Sequence, residues 1–294
     1  MRISRDALKN VLCSRARLGE GAMWNHRDQH LYWVDIYNHV VHQFNPATGE
    51  CIVFDTGAEV TCLASAGEQQ LIVALRDRLA FLDTQTGTVT PLISVEAENP
   101  HTRLNDGKAD PQGRFWVGSI SERAKPEANL YRYDPDGSLH QMETGLTNSN
   151  GLGWSPDQST FYLTDTPTHK IYAYQYEPQT GSIRDRRVLI DLSQEGLFPD
   201  GLAIDAEGCL WSAMWDAWCV IRFDPNGQEV ARVEMPVQCP TCCAFGDADL
   251  KTLYITTASV GQSQAEIQKS FYSGDLFALR TDVVGLPANS FNPQ

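Results

Sequence analysis

The sequence predicts an all-β protein, a six-bladed β-propeller, and three observations lead to this prediction. A strand-like segment recurs six times at intervals of about 40 to 50 residues, the period expected of propeller blades. Turn-forming residues follow these segments at matching places, and helical periodicity is hard to find anywhere in the 294 residues. We expect residues 1–294 to form one propeller domain; a β-sandwich of many short strands is the alternative.

One complete blade can be followed in residues 150–192. Short strands are predicted at 151–154, 161–165, 171–176 and 187–192, with turn residues between them. Four antiparallel strands joined by short turns make one propeller blade. The second strand of this unit, FYLTDT, has five counterparts in the chain: LYWVDI, LIVALR, RFWVGS, CLWSAM and LYITTA.

The two ends of the chain are expected to meet in one blade, because a propeller closed in this way has no open seam. Residues 7–12 are predicted to add an outer strand. The blade that receives it would be the one that carries Leu253 and residues 276–279.

Composition argues against several classes of function. A net charge of −14 disfavours nucleic acid and anionic membranes as partners. No apolar segment resembles a secretory signal or is long enough to span a bilayer, so we expect a cytoplasmic protein with reduced cysteines. Cys239 and Cys242 form a C-x-x-C pair without a second pair. This favours buried thiols over a metal site and leaves the role of the cluster with Cys243 open.

Four of the six repeats place an oxygen-bearing side chain at or next to a glycine at the start of the blade. These residues are Glu20, Asn105, Asn150 and Asp200, whereas the second and sixth repeats have Thr61-Cys62 and Thr241-Cys242 there. The first strand of each propeller blade lies nearest the central axis. The four side chains are therefore predicted to face one another across the channel.

Two carboxylates and two amides that converge in a channel would repel unless a positive charge lies between them. The sequence therefore predicts one divalent cation at this point. Oxygen ligands suit Ca²⁺, Mg²⁺ or Mn²⁺ best, although Zn²⁺ or Fe²⁺ would also bind. The alternative is that the Asn-Gly and Asp-Gly pairs only form turns.

Such a cation could polarise a carbonyl group and activate water. Asp200 could act both as a ligand and as a general base, and its pKa should stay low beside the cation. Arg103 precedes Asn105 by two residues and therefore shares its strand face, from which it could bind a polar substrate or an oxyanion.

Several long motifs resemble one known family. LGEGAMW, RLNDGKADPQGRFWVG, SNGLGWSPD, FPDGLAIDAEGCLW and TCCAFG are similar to segments of the family that includes regucalcin (senescence marker protein) and bacterial gluconolactonases. The resemblance runs from about Leu18 to Ala258. It implies a six-bladed propeller and a metal-dependent hydrolase that opens a sugar-acid (aldono-) lactone.

The resemblance also implies roles for individual residues. Glu20, Asn150 and Asp200 would be the metal ligands, and Asp200 would also be the catalytic acid or base. Arg103 and Asn105 would bind substrate, which removes Asn105 from the ligand set, and Asp165 would lie near the channel.

The sequence departs from the family pattern at two places. Ala22 stands where proline is common, and in the loop after Gly118 the position of a substrate-binding glutamate falls at Arg123, next to Glu122. We therefore predict Glu122 as a third substrate-binding residue.

Two other functions stay open: a calcium-binding propeller without turnover, and an organophosphate-type hydrolase on the same scaffold. The sequence does not specify which lactone, which metal or which oligomer.

Overall fold

The computed structural model describes residues 1–293 and confirms the six-bladed β-propeller. The predicted domain extends to Gln294, which lies outside the described residues. Two short strands precede the first blade: β1 (Arg2–Ile3) and β2 (Leu8–Leu12). Blade 1 contains β3 (Gly19–Asn25), β4 (His30–Asp35), β5 (Val40–Phe44) and β6 (Cys51–Asp55). Blade 2 contains β7 (Val60–Ser65), β8 (Gln70–Leu75), β9 (Arg78–Asp83) and β10 (Val89–Ser94).

Blades 3 to 6 follow in chain order. Blade 3 contains β11 (Thr102–Ala109), β12 (Phe115–Ser121), β13 (Ala128–Tyr133) and β14 (Leu139–Leu146). Blade 4 contains β15 (Ser149–Trp154), β16 (Thr160–Asp165), β17 (Lys170–Glu177) and β18 (Ser182–Asp191). Blade 5 contains β19 (Phe198–Ile204), β20 (Leu210–Trp215), β21 (Cys219–Phe223) and β22 (Glu229–Glu234). Blade 6 contains β23 (Pro240–Gly246), β24 (Thr252–Thr257) and β25 (Leu276–Arg280).

Helical structure in the described chain is brief. Short 3-10 turns span Arg5–Ala7, Ile36–Asn38 and Thr166–Thr168, and α1 (Gln264–Lys269) lies between the last two strands. Across residues 1–293, none of the helices has the length and apolarity needed to cross a membrane.

The first strand of every blade forms the wall of the central channel. Each of these six strands contacts the first strands of the two neighbouring blades, which closes the ring. Apolar side chains fill the gaps between adjacent blades, as Val34 and Val73 do between blades 1 and 2. The sheets therefore hold one another in place, and the channel side chains are carried by regular strands instead of loops.

Blade 6 is completed by the N-terminal segment, as predicted. Strand β2 pairs antiparallel with β25, and its register places Leu8 opposite Leu279. Strand β1 was not predicted, and it adds a parallel fifth strand to blade 5 beside β22. The amino group of Met1 also donates to the carbonyl of Val230 at 2.7 Å. The N-terminal segment therefore ties two blades together.

A β-bulge interrupts all six inner strands at the same level. The register shifts after the residues Glu20, Val60, Leu104, Asn150, Pro199 and Pro240. The pairs Asp106-Gly107, Asn150-Gly151 and Asp200-Gly201 therefore lie within strands, not in turns. Glycine is needed at this level because the strands converge: a Cβ atom on Gly201 would lie 2.7 Å from the Cα of Cys242 in the next blade.

The segment after β25 crosses the lower face of the ring. The backbone N–H of Leu286 donates to Ile204 in blade 5 at 3.1 Å, and that of Phe291 donates to Ser65 in blade 2 at 2.7 Å. Phe291 is buried and stacks on Tyr133 with the ring centroids 5.6 Å apart. The C-terminal segment therefore spans the lower end of the channel.

Candidate active site

One layer of side chains lies at the level of the bulges, and we call it the polar layer. The strand register gives each blade one member, and all of them are buried: Glu20, Thr61, Asn105, Asn150, Asp200 and Thr241. The predicted matching of the four repeats, with Thr in blades 2 and 6, therefore agrees with the register.

Glu20, Asn150 and Asp200 come from blades 1, 4 and 5. The Nδ2 of Asn150 donates to the Oδ1 of Asp200 across the boundary between their blades. Asn150 also donates to the Oγ1 of Thr166 at 3.1 Å, and that hydroxyl donates to the carbonyl of Pro199 at 2.8 Å. Glu20 accepts the backbone N–H of Gly21 at 3.1 Å. Blades 4 and 5 are thus directly linked at the site.

The electrostatics of this layer are dominated by crowded negative charge. Burial, then the charges of Asp200 and Asp106, raise the pKa of Glu20 well above its usual value. Burial and Asp106 likewise raise the pKa of Asp200, against the lowering effect of the hydrogen bond from Asn150. Without a cation, the surroundings of Asp200 therefore raise its pKa, whereas we predict a low pKa for Asp200 beside a cation.

The donor set fits a hard divalent cation. Two buried carboxylates that raise each other's energy gain most from a positive charge between them, and carboxylate and amide oxygens are the ligands that such ions prefer. Within residues 1–293, no group of three or more His, Cys, Asp or Glu is arranged to hold a metal. A cation here would therefore need the amide oxygen of Asn150 as its third protein ligand.

Arg103 and Asn105 lie next to this set on blade 3. The Nη1 of Arg103 donates to the carbonyl of Leu104 and to the Oδ1 of Asn105, each at 2.9 Å. Asn105 in turn donates from Nδ2 to the Oδ1 of Asn148 at 2.9 Å and to the carbonyl of Ser149 at 3.0 Å. The guanidinium of Arg103 is thus fixed at the channel wall, as the spacing of these two residues predicts.

Glu122 lies outside this network. Its carboxylate accepts from the Nη2 of Arg76 at 2.6 Å, and the same guanidinium binds Glu59 at 2.7 Å. The neighbouring Arg123 pairs with Glu127 instead. Any contact of Glu122 with substrate would therefore compete with Arg76, and its role as a substrate-binding residue stays a prediction.

Asp165 supports the backbone that leads into β15. Its carboxylate accepts the backbone N–H groups of Thr147 at 3.2 Å and Asn148 at 2.9 Å. Asp35 does the same for Arg17 and Leu18 in front of β3. These buried aspartates hold the backbone just before β15 and β3, and they thereby help to fix the positions of Asn150 and Glu20 along the channel.

Below the polar layer lies a cavity of about 250 Å³ that we call the lower chamber. Most of its wall is apolar, including Trp24, Trp154 and Phe245, and residues 286–289 also line it. The positively charged side chain of Lys108 also lines the chamber, and its Nζ donates to the carbonyl of Leu202 across the channel.

Sequence reasoning missed Asp106 and Lys108, which both face this chamber. Burial raises the pKa of Asp106, and the charge of Lys108 acts in the opposite direction. The two residues follow Asn105 directly, but simple strand alternation places Asp106 away from the axis. Only the bulge brings it to the channel, and no sequence signal marks that bulge.

A family model described as the SMP-30/Gluconolactonase/LRE-like region matches residues 18–259. The chain belongs to this family. All six inner strands fall inside the matched range, so the family match covers every member of the polar layer.

Relatives within the family extend over nearly the whole chain. The 6-deoxy-6-sulfogluconolactonase of Pseudomonas putida is 36% identical over 286 residues, which is 95% of this chain and 97% of that protein. Regucalcin of Gallus gallus is 34% identical, with 98% of this chain and 99% of that protein covered. The crystal structure of regucalcin from Agrobacterium tumefaciens strain C58, described as a calcium-binding protein, has a TM-score of 0.95 at 27% identity and 99% coverage of both chains.

Proposed function

We propose that this protein is a metal-dependent lactonase that opens a sugar-acid (aldono-) lactone to the open-chain acid. The observation that supports it most is the polar layer: Glu20, Asn150 and Asp200 from three blades are buried, Asn150 contacts Asp200, the charge of Asp200 raises the pKa of Glu20, and Asn105 holds Arg103 beside them. Relatives named as sugar lactonases support the reaction class. A calcium, zinc, magnesium, manganese or iron ion is the proposed cofactor.

Glu20, Asn150 and Asp200 would hold the ion. When bound there, a divalent cation supplies Lewis-acid polarisation of the lactone carbonyl. The residues of the chain then have three tasks: to orient the lactone, to take a proton from water, and to stabilise the negative charge that develops on the carbonyl oxygen.

In the proposed reaction, the oxygen of a water molecule attacks the carbonyl carbon and the bond to the ring oxygen breaks. Asp200 accepts the proton of that water and returns a proton to the ring oxygen, which leaves as a hydroxyl group. Arg103 faces the carbonyl oxygen, and Asn105 holds the Arg103 guanidinium through the bond at 2.9 Å. The proton transfer to the ring oxygen leaves Asp200 ionised again, and the new carboxylic acid of the product gives its proton to bulk water as it becomes a carboxylate.

The test is hydrolysis of five- and six-membered aldono-lactones by the purified protein with each divalent ion added in turn. Asp200→Asn removes the proposed base and one ligand charge, and we expect kcat/KM to fall by about 10³-fold or more. Asp185→Asn is the matched control. Asp185 is an exposed residue of an outer strand with φ 55°, a conformation that asparagine also tolerates.

Full activity in Asp200→Asn would refute the assigned role. A calcium-binding propeller without turnover is the second candidate, which the calcium-binding description of the structural neighbour favours. Stabilisation of the protein by Ca²⁺ with no hydrolysis of any lactone would support that candidate.

A further inference from the structure

A second ring of side chains lies one step above the polar layer, and we call it the mouth layer. Its members stand two residues before each member of the polar layer, at the start of the inner strands or directly before them. They are Leu18, Glu59, Arg103, Asn148, Phe198 and Cys239. Blades 2, 3 and 4 contribute the polar members, whereas blades 5, 6 and 1 contribute Phe198, Cys239 and Leu18. The mouth therefore has one polar wall and one largely apolar wall.

The hydrogen-bond network of the polar wall fixes which end of the Asn148 amide faces which way. Arg103 can only donate, so the atom of Asn105 that it contacts must be the oxygen. The other end of Asn105 contacts the carbonyl of Ser149 and must be the nitrogen. That nitrogen also donates to Asn148 at 2.9 Å, so the contacted atom of Asn148 is its oxygen. The Nδ2 group of Asn148 is left as the outer end of the chain of bonds.

The backbone of Asn148 is held as firmly as its side chain. Its N–H donates to Asp165 at 2.9 Å, and its carbonyl accepts from Thr166 at 3.3 Å. The side chain is half-buried, and across residues 1–293 its Nδ2 has no hydrogen-bond partner. The other two polar members of the layer are already engaged, since Glu59 binds Arg76 and Arg103 binds Asn105.

A donor that is fixed, half-buried and without a partner is suited to a ligand. Asn148 directly precedes β15, which carries the proposed metal ligand Asn150, and it contacts the proposed substrate-binding residue Asn105, so its Nδ2 lies beside the proposed reaction centre. On the neighbouring blade, Phe198 packs on His169 with ring centroids 4.4 Å apart, and its own ring offers no hydrogen-bonding group. A molecule with hydroxyl groups on one side would place that side toward Asn148.

We propose that Asn148 is a specificity-determining residue that donates a hydrogen bond from Nδ2 to a hydroxyl oxygen of a polyhydroxylated lactone. This inference rests on the proposed lactonase function and assigns to Asn148 the recognition of the hydroxyl groups, not of the reacting carbonyl. The proposal gives a reason for the hydrogen bond between Asn105 and Asn148. The same network would orient Arg103 toward the carbonyl oxygen and the Nδ2 of Asn148 toward the hydroxyl groups.

Two variants and two substrates test the inference. Asn148→Asp keeps an oxygen that accepts from Asn105, but it replaces the donor by a negative charge. Asn148→Leu removes both the donor and the acceptor without adding charge. The substrates are glucono-1,5-lactone and δ-valerolactone, which has the same ring without hydroxyl groups. We expect both variants to lower kcat/KM for the hydroxylated lactone by about 10- to 100-fold. For δ-valerolactone we expect a change of less than about twofold, since no hydroxyl contact exists to lose.

Two outcomes would overturn the inference. If Asn148→Asp keeps the wild-type kcat/KM on the hydroxylated lactone while Asn148→Leu loses it, Asn148 only positions Asn105. If kcat/KM falls equally on both substrates in both variants, the substitutions disturb the reaction centre and not the recognition of hydroxyl groups.

Failure of the proposed function gives a different result. If the wild-type protein with added metal hydrolyses neither lactone, 1,5-anhydroglucitol, which has the same ring hydroxyl groups but no lactone carbonyl to hydrolyse, serves as the ligand, and its dissociation constant is measured by calorimetry. A weaker dissociation constant in Asn148→Asp than in wild type would still support the contact. Equal constants, or no binding to the wild-type protein, would overturn it.

Discussion

The upper and lower ends of the central channel are built from the same six strands but have opposite character. At the upper end, Glu20, Asn150 and Asp200 crowd oxygen atoms into a buried layer below the mouth. At the lower end, the same strands contribute Met23, Gly153 and Ala203 to a largely apolar chamber that the C-terminal segment spans. The upper end is polar, whereas the lower end is largely apolar, like a protein core.

The bulge is what allows one strand to serve both ends. Residues three apart on a regular strand point to opposite faces, so Glu20 and Met23 should not both face the axis. The register shift between them inserts an extra residue and returns Met23 to the channel side. Polar and apolar layers can therefore be stacked along one axis without a turn between them.

The largest expected effect is at the upper end. Glu20→Gln removes the negative charge of a proposed ligand, and we expect kcat/KM with added metal to fall by about 10³-fold or more, because Lewis-acid stabilisation is worth several kcal/mol. Lactone hydrolysis together with calorimetric titration of the metal checks this. If the variant binds the metal as tightly as wild type, Glu20 of blade 1 is not a ligand. The contrast between a metal-binding upper end and an apolar lower end would then be weaker than we describe.

The next effect is at the lower end. Phe291→Ala empties a buried aromatic position of the C-terminal segment, and we expect a loss of about 3 kcal/mol in the free energy of unfolding. The activity of the folded protein should not change, because Phe291 lies on the lower face. Urea unfolding and kcat/KM are the two measurements. A large fall in activity at full folding would show that the two ends are coupled.

A smaller effect is expected away from the channel wall, on β5 in blade 1. Burial lowers the pKa of His42, which stacks on Trp33 in blade 1, to about 4. The folded state thus binds fewer protons than the unfolded state between the unfolded value of 6.5 and about 4, so stability falls as pH falls through this window. At pH 4.5 the loss should be about 2 kcal/mol.

His42→Phe keeps an aromatic ring at this position without the titration. Its stability should therefore be flatter than that of wild type between pH 6.5 and 4, as urea unfolding at several pH values would show. If the free energy of unfolding depends on pH in the variant as it does in wild type, groups other than His42 cause the loss of stability at low pH.

The smallest effect is expected in blades 2 and 6. Cys62 and Cys242 are buried one residue after the threonines of the polar layer. Since these blades supply no proposed ligand, Cys62→Ala and Cys242→Ala should change kcat/KM and metal affinity by less than about twofold. A loss of metal binding in either variant would extend the site beyond blades 1, 4 and 5.

The sequence was sufficient for the repeat-based parts of this molecule. Six similar segments predict six blades, and the residue before or near each glycine predicts the polar layer, because both features repeat. Features without a repeat were not predictable in this way. Strand β1 has only two residues, and the path of residues 285–292 across the lower face depends on contacts with distant blades.

Two side chains at the site show more closely what the sequence can and cannot predict. Asn148 could have been found, since it precedes Asn150 by the same two residues that separate Arg103 from Asn105. Asp106 could not, because alternation directs it away from the axis and only the bulge turns it inward. The pairing of Glu122 with Arg76 joins residues of different blades, which spacing along the chain does not reveal.

The most direct test of the central claim is a crystal structure of the protein soaked with Mn²⁺, with anomalous scattering used to locate the ion. We expect one strong peak in the polar layer, within coordination distance of Glu20, Asn150 and Asp200, and no such peak in crystals of Glu20→Gln. A peak in the lower chamber beside Asp106, or no bound ion in wild-type crystals that otherwise diffract well, would contradict the account.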